Sequence, residues 1–166
     1  IRYRLVGSEM CIRDSQVTLT IGEGEKAFTV RLGILFPKRP GTYPVVVKND
    51  AAIGHVPISG QLIDDGYAVC EYLRTDLDPD EAGVAGPAQR AYPDCDWGTL
   101  AVWAWGGMRV IDYLATLPEI DSGKIAVFGH SRGGKVDLLT AALDERVAVS
   151  IPNGSGAGGA ALYRNQ

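Results

Sequence analysis

Residues 124–135 read KIAVFGHSRGGK. Residues 124–128 have the apolar, β-prone character of a buried strand, and residues 132–143 carry a helical pattern. Between them Gly129, Ser131 and Gly133 spell G-x-S-x-G. Five residues alone are weak evidence, but a strand before them and a helix after them make the setting of a nucleophile elbow. Such a turn strains the serine backbone and lifts its hydroxyl clear of the sheet. Glycines at either side leave room for the turn and for close helix–strand packing. The helix N-terminus behind Ser131 offers free N–H groups to developing negative charge. The N–H of Arg132 is the expected first oxyanion donor, and a second is expected from the loop at residues 50–52. The competing reading is a serine in an ordinary strand–helix turn.

Outward from the elbow the pattern alternates. Residues 16–21 (QVTLTI) and 27–36 (AFTVRLGILF) predict a β-hairpin turning at residues 23–25 and closed by Pro37, Pro40 and Gly41. Residues 43–48 (YPVVVK) predict a strand buried on both faces. A short helix is expected over 59–65, stopping at Gly66, then a strand over 67–72. Residues 73–97 form a long irregular stretch with three prolines and several aspartates, a length more often functional than idle. Residues 99–117 carry helical spacing with Pro118 beyond, and residues 147–151 (VAVSI) predict a strand before a glycine-rich loop at 152–159. From residue 43 the order is β-α-β-α-β-α-β. That predicts an α/β fold of three layers, a mostly parallel sheet with helices on both faces and the hairpin as an antiparallel edge.

Composition narrows the function classes. The chain has 166 residues, 46% hydrophobic and 22% charged, with net charge −4. A basic nucleic-acid footprint and a polybasic membrane patch are both absent, and no apolar run reaches the length of a membrane span. Neither nucleic acid nor a membrane is expected as a partner. Three cysteines and two histidines show no metal-ligand spacing, so no zinc site is expected, and no sequence feature calls for a cofactor. Of the 21 glycines, seven gather at the elbow (Gly129, Gly133, Gly134) and over residues 154–159.

Residues 1–15 (IRYRLVGSEMCIRDS) show neither alternation nor a helical stripe. LVGSEMCIRDS reads as translated adapter sequence from the edge of an environmental assembly, so residues 1–15 are set aside as non-native; an ordinary N-terminal strand is the alternative. A serine nucleophile needs a base, and in this fold the order is Ser, acid, His. No histidine follows Ser131. His130 is expected to turn away from the site and pack, and His55 to serve at the surface or in the oxyanion loop. Residues 16–166 are therefore expected to be the N-terminal part of a larger hydrolase domain, with the catalytic His beyond Gln166 and no activity of its own.

GHSRGGK (129–135), DWGTLAVWAWGGMRVIDYL (96–114), DLDPD (76–80) and SGAGGAALYR (155–164) occur in this order and spacing. The combination resembles the carbohydrate esterase family 15 glucuronoyl esterases, especially their bacterial branch, over about residues 43–166. The resemblance implies an α/β-hydrolase fold, no metal, a typically exported protein, and cleavage of esters between glucuronate carboxyls of xylan and lignin alcohols. It implies Ser131 as nucleophile, Arg132 as an oxyanion holder through side chain and backbone, and Lys135 as a contact to uronate hydroxyls. Lys135 also falls one helical turn after Ser131 and shares its face; a solvated helix lysine is the plain alternative. Fungal members place a triad acid at the position of Gly154, and some bacterial relatives lack it and take the acid from a later loop; the resemblance thus implies either that the acid also lies beyond Gln166 or that this homologue is impaired. The loop 155–159 is either packed by the site or a plain turn, and the run 76–81 either a cleft wall or a solvated loop. Trp103 and Trp105 are expected in the core. The rival functions are an acetylxylan esterase or dienelactone hydrolase-like enzyme, and a non-catalytic carbohydrate-binding homologue.

Overall fold

A computed structural model describes residues 12–53 and 58–162; residues 1–11 and His55 lie outside it. Six strands form one sheet in the order β1-β2-β4-β3-β5-β6. The hairpin strands β1 (Ile12–Ile21) and β2 (Phe28–Pro37) pair antiparallel, and β2 joins β4 (Ala68–Leu73) antiparallel as well. β3 (Tyr43–Asp50), β4, β5 (Ile120–His130) and β6 (Val147–Asn153) run parallel. The hairpin is thus the antiparallel edge of a mostly parallel sheet. β1 starts at Ile12, four residues before the alternation begins, because β2 extends to Pro37 and gives residues 12–15 a partner; Ile12 faces Pro37 and Ser15 faces Ile34.

The parallel strands are apolar in a row because both faces are covered. Successive side chains alternate in direction. Val45, Val47, Cys70, Ile125 and Val127 enter the main core with Val102, Trp103 and Ile111 of α3 (Thr99–Leu114) and Val136 of α4 (Arg132–Leu143). Val46, Val69 and Phe128 point the other way, toward Leu62 of α1 (Ile58–Asp64). Helices therefore cover both faces. Trp103 is fully buried and Trp105 packs half-buried against Phe28, Tyr92 and Trp97.

The stretch 73–97 is more ordered than its composition suggests. It holds a 3-10 turn (Arg74–Asp76) and α2 (Pro87–Ala91), whose first residue is a proline where no N–H is needed. Trp103 Nε1 donates to Asp78 O at 2.8 Å, and Tyr72 Oη donates to Trp103 O at 2.9 Å. Trp103 thus ties the long loop to α3 through its indole and β4 to α3 through its carbonyl. β6 runs to Asn153, past the expected stop at 151. Pro152 is tolerated because β6 is an edge strand among the described residues.

Candidate active site

Ser131 sits between the last residue of β5 and the first of α4, with φ 55° and ψ −118°. Among the described residues it is the one non-glycine with positive φ. Such a conformation costs about 1–3 kcal/mol and persists only where its surroundings impose it. Here the Ser131 N–H donates to Asn153 O at 2.9 Å, and Ser131 O accepts from Lys135 N at 3.3 Å. The elbow glycines are required by space. A Cβ on Gly129 would lie 2.5 Å from the Gly133 carbonyl carbon, and one on Gly133 would lie 2.7 Å from Asn49 Oδ1.

A cleft of about 240 Å3 opens beside Ser131, lined also by Lys48, Asn49, Asp50, Arg74, His130 and Arg132. Lys48 and Asp50 pair at 2.8 Å across its floor. Burial pushes the Asp50 carboxyl up, but the Lys48 hydrogen bond, the Ala51 N–H and the charges of Lys48 and Arg74 outweigh it and hold the pKa below the usual value. The Arg132 side chain is 58% exposed, and its Nη1 lies 2.5 Å from Asp80 Oδ1. Arg74 stacks over the Trp103 ring at 4.8 Å and approaches Asp80 at 3.9 Å. The acidic run is therefore no solvated loop. Asp76 pairs with Arg31, Asp78 is buried and accepts from the Gly86 N–H, and Asp80 pairs with Arg132, which lines the cleft.

Several expected residues take other positions. Of residues 50–52, Asp50 lines the cleft. The Ala51 N–H is taken by Asp50 Oδ1 at 2.7 Å, and Ala51 and Ala52 line a separate hollow against β1 and β2. His130 does not pack into the protein: it is exposed and lines the cleft, because it ends a strand whose next residue turns outward. Its Cε1 lies 2.9 Å from where a Cβ on Gly154 would stand, and Gly154 has φ 55°, so a side chain there meets both strain and the imidazole. Lys135 is half-buried and its Nζ donates to Ser155 O at 2.5 Å. That bond ties α4 to the loop 155–159, whose Ser155 is buried with its hydroxyl accepting from Ala160 N. Among the described residues no side chain hydrogen-bonds the Ser131 hydroxyl.

Three contributors escaped sequence reasoning: Asn49, Arg74 and Asp137. Asn49 follows an apolar strand run yet is buried. Its Nδ2 donates to Gly133 O at 3.1 Å and to Asp137 Oδ1 at 2.7 Å. Asp137 occupies an inward position of α4, alongside Gly133, Val136 and Thr140. A charge at an apolar helical position was the available signal.

The family model described as glucuronyl esterase, fungi, matches residues 19–166. A carbohydrate esterase from an unknown prokaryotic organism is 42% identical over 112 residues, 63% of this chain and 26% of that protein. A 4-O-methyl-glucuronoyl methylesterase from Hypocrea jecorina is 45% identical over 157 residues, 89% of this chain and 32% of that protein. A solved CE15 glucuronoyl esterase from Teredinibacter turnerae superimposes with TM-score 0.84 at 25% identity, covering 98% of this chain and 46% of that structure. The chain thus spans a third or less of these two curated relatives and just under half of the solved structure. The mixed sheet with flanking helices is an α/β-hydrolase fold.

Proposed function

The chain belongs to the glucuronyl esterase family, and from that membership we propose that it carries the nucleophile half of a serine carboxyl-ester hydrolase acting on glucuronate esters of xylan. The observation that carries this reading is the strained Ser131, held at φ 55° between β5 and α4 at the mouth of a polar cleft. Its hydroxyl oxygen attacks the ester carbonyl carbon while a general base takes the proton. The carbonyl oxygen becomes an oxyanion against the Arg132 N–H, with the guanidinium of Arg132 held nearby by Asp80. Collapse expels the alcohol and leaves an acyl-enzyme. Water then attacks that ester and releases the uronic acid and the free serine.

The base and its orienting acid are proposed to come from chain beyond Gln166. Supporting this, the Ser131 hydroxyl has no side-chain partner among the described residues, and the described edge strand β6 leaves Val149 53% and Ile151 43% exposed. Ile151 points to the sheet face that carries Leu62 and Phe128, and Val149 shares that face, leaving an apolar patch for further chain to cover. Lys135 is proposed to contact uronate hydroxyls from the first turn of α4, with its bond to Ser155 O setting its reach. A substrate panel tests the reading in the complete protein. Methyl glucuronate esters are expected to turn over well ahead of acetylated xylan; the reverse order assigns the acetylxylan rival.

A further inference from the structure

A buried polar contact that the acyl-transfer scheme does not use lies directly beneath the elbow. Asp137 stands one helical turn after Gly133 and is 2% exposed. Asn49 Nδ2 reaches both its Oδ1, at 2.7 Å, and the Gly133 carbonyl, at 3.1 Å. On the opposite side Gly129 packs so closely that a Cβ there would lie 2.6 Å from Asp137 Oδ2. The carboxyl is thus enclosed by the residues two before and two after Ser131 and by the end of β3. Its Oδ2 has no hydrogen-bond partner among the described residues. A buried carboxyl with one unpaired oxygen costs stability that an apolar residue would not.

We propose that Asn49 and Asp137 are positioning residues for Ser131: their hydrogen bond clamps the first turn of α4 to the end of β3 and so fixes the serine hydroxyl and the Arg132 N–H. This rests on the reading of Ser131 as nucleophile. Neither side chain needs to touch substrate. Arg74 extends the clamp, with Nη1 3.5 Å from Asn49 Oδ1 and 3.4 Å from Asn49 O.

The charge state of Asp137 suits this role. Burial pushes its pKa up to about 8, against the opposing pull of the Asn49 hydrogen bond and the Arg74 charge. Facing groups are Arg74, after β4, and Tyr72 on β4, whose phenol is held well above its usual pKa by burial and then by Asp137. β3 and β5 present Asn49 and Gly129, neither charged. At neutral pH the clamp is therefore mostly uncharged. Ionised, it would put an anion under the point where the substrate oxygen becomes negative, which opposes attack.

The test uses a serine-directed fluorophosphonate on the complete protein, with the labelled residue located by mass and Ser131→Ala as control. Wild-type labelling is expected to slow as pH rises through about 8. Asp137→Asn, which keeps shape and hydrogen bonding, is expected to label at the wild-type rate near neutral pH and to lose part of that alkaline decline. Asn49→Ala is expected to label about tenfold more slowly. A decline in Asp137→Asn identical to wild type, together with wild-type labelling of Asn49→Ala, overturns the proposal. If wild-type Ser131 takes no label, the nucleophile reading has failed instead. Amide exchange then decides the clamp: faster exchange at residues 132–135 in Asn49→Ala supports it, and unchanged exchange overturns it.

Discussion

The carboxylate of Asp80 lies 2.5 Å from the guanidinium of Arg132, so a residue from the long loop after β4 holds the side chain that follows Ser131. Both partners are partly exposed, and such a pair contributes about 1 kcal/mol or less to stability. Its consequence is where it keeps the guanidinium. Asp80→Asn is therefore expected to leave the melting temperature nearly unchanged while kcat/KM on a glucuronate ester falls about tenfold. Steady-state kinetics beside a thermal melt checks this, and unchanged kcat/KM would detach Asp80 from function.

A Lys135 variant distinguishes the proposed sugar contact from support of the loop 155–159. Lys135→Ala is expected to raise KM for glucuronate esters about tenfold and to leave simple acetate esters nearly unaffected. Its bond to Ser155 O supplies the contrary outcome. If the lysine only braces the loop 155–159, both substrates lose equally.

The elbow was legible because a strand pattern, two glycines and a helix pattern agree locally around Ser131. The parallel strands were legible because β3 and β5 are apolar in a row. The partners of the elbow were not. Asp80 and Arg132, like Asn49 and Asp137, are 52 and 88 residues apart; their meeting depends on strand order, which no local pattern carries. His130 was misjudged for a related reason: whether a residue at a strand end packs or faces a cleft depends on the neighbouring loop, here the turn at Gly154.

Asp137 makes stability depend on pH. Its pKa rises from 3.8 to about 8 on folding, so in that range the folded chain keeps a proton that the unfolded chain releases. The stabilising contribution is complete below about pH 4 and is lost as pH rises through about 8, on the order of a few kcal/mol in all. Urea midpoints at mildly acidic and mildly alkaline pH are expected to diverge in wild type and to converge in Asp137→Asn. Equal pH slopes in both would assign the dependence elsewhere.

Trp103 joins α3 to the long loop and to β4. Trp103→Ala is expected to destabilise by about 3–5 kcal/mol, by cavity formation and loss of the bond to Asp78 O. Trp103→Phe is expected to cost less, keeping most of the packing but leaving that carbonyl unpaired. Urea unfolding measures both, and a cost under about 1 kcal/mol for the alanine variant would show that the loop is anchored elsewhere.

The 166 residues alone, produced as a folded chain, are expected to hydrolyse no glucuronate ester above background. Ser131-dependent turnover by this chain would mean that the base lies within it, and would redirect attention to His130 and His55.

The central claim is that Ser131 is the nucleophile. Its direct test is turnover of a methyl 4-O-methyl-glucuronate ester by the complete protein and by its Ser131→Ala variant, with folding of the variant confirmed by circular dichroism. A fall in kcat of about a thousandfold or more, with the fold intact, is expected. Turnover within a few fold of wild type would contradict it.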